Sequence, residues 1–345
     1  MQLNAPVKVV MALVLVIAAA LVSPLPANAQ GTAACGGQDL IGDLESGQPA
    51  LFRQIEDQAA QTRNGQSVLW RIKASGERAA SYLFGTIHLS DERVAKLGGA
   101  LQTALDEVNT VALEIVGAGD QQAMQLAIAK HPELIMLPGS DTLWELVGEA
   151  DRPEVLEELG ALGIQRGQAA KLQPWLPALM LSISTCETQR RQAGHVVLDQ
   201  AIEAYAKERG IRLVGLETPV EQFAAMSSMP LKSQTLFLTD AARNRERVDD
   251  LNETLIKLYL NSRITWFFPF AKAMAGSEAS AARSAAEAGF METLIDKRNV
   301  KMAERAAPLL EAGGALIAVG ALHLPGETGL VTLLRAQGYD ISPVE

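Results

Sequence analysis

Two apolar runs, far apart in the chain, end alike. Leu83-Phe84-Gly85-Thr86-Ile87-His88-Leu89 and Ala318-Val319-Gly320-Ala321-Leu322-His323-Leu324 each read as a strand closing on Gly-x-x-His-Leu. This near-repeat draws a segment near the start and one near the end into a common sheet. In open α/β sheets the carboxyl ends of strands are where ligands are held, so a strand followed by Gly-x-x-His places its imidazole there. The glycine, lacking a Cβ, lets another backbone or a ligand come close.

The remaining strand-like segments fit around these two. Ser67 to Lys73 and Ser81 to Ile87 form a hairpin pattern about a turn containing Ser75, Gly76 and Glu77. Thr110 to Val116, Ile211 to Leu216, Ala315 to Val319 and Tyr339 to Val344 are short β-rich runs. Helical spacing fills Leu40 to Gln61, Asp91 to Val108 and Thr328 to Gln337. It also dominates about 120–207, punctuated by Pro132, Pro138, Pro153, Pro174 and Pro177, and about 220–310. The expected fold is α/β (α+β): a central mixed β-sheet bearing the paired Gly-x-x-His strand ends, with large helical insertions, in a single domain over 30–345.

Residues 1–29 are an address rather than part of that domain. Their one charge is Lys8, followed by an apolar run from Val9 to Val22 and by Ala27-Asn28-Ala29. This is the layout of a secretory signal cleaved after Ala29, which predicts a periplasmic or secreted protein. The uninterrupted apolar run is shorter than the roughly 20 residues that span hydrocarbon, so no stable membrane span is expected after cleavage. A lipoprotein signal at Cys35 is disfavoured, because Thr32-Ala33-Ala34 lacks the usual Leu. In an oxidising compartment the chain's two cysteines, Cys35 and Cys186, are expected to pair.

Composition narrows the partners. The formal charge of −10 and the lack of basic patches exclude nucleic acid as a partner. Two cysteines cannot build a zinc ribbon or a Cys-ligated iron–sulfur cluster. Only 4 His are present, and two occupy matched places. Brought together, His88 and His323 would suit a divalent metal bound through neutral imidazole nitrogens. Glu114, in the run Ala112-Leu113-Glu114-Ile115, and Glu217, after Gly215-Leu216, supply carboxylates in apolar settings that demand a partner. His131 and His195 share no such symmetry and are expected at the surface. The cluster Trp266-Phe267-Phe268-Pro269-Phe270 is expected to pack the helical lobe, with a substrate-facing patch as the alternative. The Ala-rich stretch from Ala271 to Ala288 reads as a helix with a solvated face or as a lid.

The residues Tyr82 to Leu89, Glu114, Gly215-Leu216-Glu217-Thr218 with Gln222, Arg298-Asn299, and Gly320 to Glu327 resemble the TraB/GumN family. That family is related to the TIKI metalloproteases and, more distantly, to erythromycin esterases and the ChaN haem-binding lipoproteins. The resemblance spans nearly all of the mature chain. It implies an α/β core with a helical insertion and, from the TIKI proteins, metal-dependent proteolysis with manganese or cobalt; zinc is a third option. No HExxH motif occurs, so the ordinary zincin route is absent. Residue chemistry and resemblance together suggest an exported metal-dependent hydrolase acting on a peptide or small molecule, with metal-activated water as nucleophile. His88, His323 and Glu217 would hold the cation and Glu114 would act as general base, though the two Glu could exchange roles. Arg298, with Asn299 as a donor beside it, would stabilise an oxyanion. The alternatives are a metal- or haem-binding protein without turnover and an accessory protein of envelope or polysaccharide export.

Overall fold

A computed structural model describes residues 36–73, 79–275 and 281–344. The hairpin turn at 75–77, the signal at 1–29 and Cys35 lie outside these residues. Six strands, β1 (Leu69–Lys73), β2 (Ser81–Thr86), β3 (Thr110–Leu113), β4 (Arg212–Gly215), β5 (Ala315–Gly320) and β6 (Asp340–Pro343), form one sheet in the order β4-β3-β5-β2-β1-β6. The four strands β4, β3, β5 and β2 run parallel; β1 pairs antiparallel with both β2 and β6. The fold is thus mixed α/β, and β1 and β2 form the hairpin expected of them.

Parallel strands need cover on both faces, and the alternation of side chains shows it. Along β5, Leu316 and Ala318 enter one apolar core, while Ala315, Ile317 and Val319 enter another on the opposite face. Likewise Tyr82 and Phe84 of β2 turn to the first core and Leu83 to the second. The second face is covered by the helices Lys297–Ala312 and Leu330–Ala336, whose Met302, Ala306, Leu310, Val331 and Leu334 recur at helical spacing. The first face carries the helices of the 120–207 insertion and those of the second insertion before Lys297. In the 120–207 insertion the only β-structure among the described residues is an isolated bridge between Met136 and Leu172.

The expected helix over Asp91 to Val108 is two helices, Glu92–Ala95 and Gly99–Glu107, because Gly98-Gly99 breaks the run. The stretch Leu40 to Gln61 is likewise split at Pro49 into Leu40–Gly47 and Pro49–Ala60. Asp91 caps the first short helix, accepting from the Arg93 backbone N–H.

Gly85 earns its place by crowding. A Cβ there would lie 2.8 Å from Ala321 Cα and 2.9 Å from Ala321 Cβ, since the chain leaving β5 crosses directly over β2. Gly85→Ala is therefore expected to destabilise the fold by about 1–3 kcal/mol, an overpacking cost that relaxation of a backbone neighbour cannot remove. Denaturant titration checks it, and a change under about 0.5 kcal/mol would show that the crossing is not tight.

Candidate functional site

The four parallel strands deliver four side chains to one end of the sheet. Because Thr86 of β2 pairs with Gly320 of β5, the two Gly-x-x-His exits emerge side by side. His88 follows β2, and His323 follows β5 on a 3-10 turn, Ala321–His323. Glu114 comes immediately after β3, and Glu217 two residues after β4. His88 Nε2 lies 4.0 Å and His323 Nε2 3.9 Å from the same Glu114 oxygen, Oε1. Gly320 forms the floor between them: its N–H donates to Glu114 Oε1 at 2.6 Å. A Cβ at 320 would meet Glu114 Oε1 at 3.2 Å, His88 Nε2 at 3.3 Å and His323 Cδ2 at 3.6 Å. The His88 nitrogen, the Glu114 oxygen and the edge of the His323 ring therefore surround a space that a Cβ at 320 would crowd.

The far nitrogen of each imidazole is held. His88 Nδ1 is 2.8 Å from Asp199 Oδ2, and the other Asp199 oxygen accepts from the Thr86 hydroxyl at 2.8 Å. His323 Nδ1 is 2.7 Å from Asn299 Oδ1, while Asn299 Nδ2 donates to the Thr328 carbonyl at 2.9 Å. That second bond fixes the amide, so the oxygen faces His323 and can only accept. His323 Nδ1 must carry its proton, which leaves the Nε2 lone pair turned toward Glu114. Burial and the Arg298 charge push His323 down to about 3, against the pull of Glu114, and keep it neutral. For His88, burial lowers the pKa, but the charge and hydrogen bond of Asp199, with help from Glu114, outweigh burial and leave it raised.

Arg298 binds the two glutamates into one unit. Its Nε and Nη2 donate to Glu217 at 3.0 and 2.7 Å, and Nη2 also donates to Glu114 Oε2 at 2.6 Å. Its Nη1 donates to the Leu294 carbonyl at 3.0 Å. Gln222 Nε2 adds bonds to Glu114 Oε2 and Glu217 Oε2, at 3.0 and 3.1 Å. Burial would raise the Glu114 carboxyl. Arg298, His323, His88 and the Gly320 N–H together overcome burial and hold it well below the usual carboxylate range. Burial would lower Arg298, and the charges of Glu114 and Glu217 raise it instead. The two carboxylates of Glu114 and Glu217 thus share one guanidinium, and Asp199 adds a third carboxylate behind His88, an excess of negative charge that suits a cation.

All six residues singled out for chemistry in the sequence meet here, but some roles shift. Glu114 rather than Glu217 faces both imidazoles, while Glu217 is occupied with Arg298 and Gln222. Asn299 has both ends of its amide engaged, so it orients His323 and is not a free donor beside Arg298. Asp199 was not foreseen. It sits in the first turn of the helix Leu198–Glu208, where an acid is ordinary, and only its apolar surroundings, Val197 and Leu198, hint at burial. Glu187 and Arg191 were also missed: Glu187 accepts the Ser90 N–H and Arg191 donates to the His88 carbonyl at 3.1 Å, steadying the loop after β2.

His131 and His195 sit at the surface beside Glu133 and Glu92. Trp266, Phe267 and Phe270 are buried in the helical lobe. Cys186 is half-buried at the start of the helix Thr185–Gln192, next to Glu187; its expected partner Cys35 lies outside the described residues.

Asp199→Asn keeps the shape but removes the charge that holds His88 Nδ1–H. Were His88 to ligate a metal, as proposed below, loss of this partner would be expected to weaken binding about 10–100-fold, measured by competition with a chelating dye. Unchanged affinity would remove His88 from the ligand set.

An α/β sheet with paired histidines and a shared glutamate at the carboxyl ends of adjacent parallel strands defines the class of this protein. The chain belongs to the TraB/PrgY/gumN family, whose model matches residues 68–343. No curated protein and no solved structure matches it.

Proposed function

We propose that this chain is a hydrolase working with a divalent transition metal, manganese, cobalt or zinc, held by His88, His323 and Glu114, and that it acts on peptides. The observation that supports it is the convergence of two Nε2 atoms and Glu114 Oε1 on the space above Gly320. Ligands bound at roughly 2.0–2.2 Å sit about 3–3.5 Å apart, so the separations of 3.9 and 4.0 Å need only a small inward movement. As it stands, no group of three or more His, Cys, Asp or Glu among the described residues meets metal-holding geometry. The donor set is nevertheless of the right chemistry: two imidazole rings, one of them held neutral, one ionised carboxylate, and outer partners on both rings.

When bound, the cation would supply Lewis acidity and lower the pKa of a water molecule. The chain's own residues do the positioning. Asp199 and Asn299 hold the ring orientations, Arg298 and Gln222 hold Glu114, and Glu217 holds Arg298. Leu89, Leu255, Ile264, Leu294 and Leu322 wall the space and exclude bulk water. Nothing at the site favours haem, because the imidazoles face a carboxylate across a gap that one methyl group would crowd. The same reading includes export directed by residues 1–29 and a Cys35–Cys186 disulfide. No helix among the described residues is long and apolar enough to cross a membrane.

Elemental analysis after dialysis against manganese, cobalt and zinc tests the proposal, together with hydrolysis of a peptide library. Wild type is expected to retain a single ion and to cleave peptides; His323→Ala is expected to do neither. A wild type that retains no ion, or cleavage that survives His323→Ala, would overturn it.

A further inference from the structure

The space over the site is small. It holds about 50 Å³, room for a reacting bond and a water but not for the body of a peptide. A second cavity of about 820 Å³ lies next to it, and Phe290 lines both. That volume falls in the range of sites that take up a whole organic group, roughly 300–1,000 Å³. Its apolar walls include Phe237, Phe267, Phe268, Phe290 and Met291, with Gln58 and Gln61 on the polar side. Phe237 and Phe290 meet edge to face at 6.0 Å and Phe267 and Phe268 at 5.3 Å, so ring edges and faces are presented together. The charges at this cavity balance in sign: Arg283 pairs with Asp240, and Lys272 is set against Glu287.

One segment joins the two cavities. Phe290 ends the helix Ala281–Phe290, and Met291–Asp296 follows as a π-helix. Met291 faces the large cavity, Leu294 and Ile295 face the small one, and Arg298 lies two residues beyond the π-helix. π-helical turns are rare and concentrate at functional sites. Here the wider turn sets the wall of one cavity and the guanidinium of the other in a single run.

We propose that the large cavity is the specificity subsite of the reaction site. It receives a bulky, uncharged and preferably aromatic side chain of the substrate while the bond to be cut lies over Gly320. The proposal rests on the hydrolase reading for the word substrate, but its test does not. Size decides between the two spaces, since only the larger can take a phenyl or indole group. Balanced charge at the lining disfavours an acidic or basic side chain, which would face a like charge on one side.

Isothermal titration calorimetry with N-acetyl-phenylalanine amide and N-acetyl-alanine amide tests it directly on the full chain. The phenylalanine amide is expected to bind saturably and at least tenfold more tightly than the alanine amide. Ala288→Trp fills the cavity from its exposed rim and is expected to weaken that binding tenfold or more; Ser284→Phe, one helical turn away, provides a second filling variant. No saturable binding, or binding untouched by both filling variants, overturns the subsite. Binding that behaves as expected in a protein that cleaves no peptide would sink the hydrolase reading and leave the subsite standing.

Discussion

Glu114→Gln is expected to lower metal affinity by at least about 100-fold, more than the loss of an outer partner alone would cause. The reason is the hydrogen-bond inventory. Oε1 accepts from the Gly320 N–H, and Oε2 accepts from Arg298 and Gln222. Every hydrogen-bond partner is a donor. Whichever way a Gln amide is turned, its NH2 group meets a donor at 2.6 to 3.0 Å and leaves a buried polar group unsatisfied, at about 1–3 kcal/mol. The substitution should therefore lose metal and stability together. A chelator-competition titration beside a thermal melt measures both, and retained affinity would show that the metal is held elsewhere.

Arg298→Met is expected to have the largest effect on stability. It removes the guanidinium shared by two carboxylates, each about nineteen parts in twenty buried, and strands both charges. Breaking a buried ion pair from one side costs about 3–5 kcal/mol, which for a chain of this size lowers Tm by on the order of 10 °C. Adding Glu217→Gln should recover part of the loss, because one stranded charge is gone, although metal binding should not return. Differential scanning calorimetry of the single and double variants distinguishes this from simple loss of packing: a double variant less stable than the single would count against a charge origin.

Much of the sheet was legible because strand periodicity and burial coincide. Five of the six strands lie inside the runs read from sequence, each shorter by one to three residues, and β5 extends one residue past its run, to Gly320. The paired histidines and both glutamates were legible for a related reason: an ionisable group ending an apolar strand has few places to go except the carboxyl edge of the sheet. Helix interruptions were less visible, since the Gly98-Gly99 break falls within an otherwise regular apolar spacing. The division of labour between Glu114 and Glu217 could not be read at all. It depends on β3 lying next to β5 while β4 lies outside it, so that Glu114 is one strand from His323 and Glu217 two. Asp199 escaped because its function comes from the neighbour it meets across the fold, Thr86 and His88, and its local sequence matches any helix start.

The placement of β5 also governs when the site can exist. This strand arrives last but one in the chain and yet sits between β3 and β2, the middle of the sheet. A nascent chain that stops before Ala315 has β4 and β3 on one side and β2 and β1 on the other with no ladder between them. The first histidine and both glutamates are then already made but have nothing to hold them together. Pairings of such long sequence separation form late and slowly. The site therefore assembles only once β5 has been made and has entered the middle of the sheet.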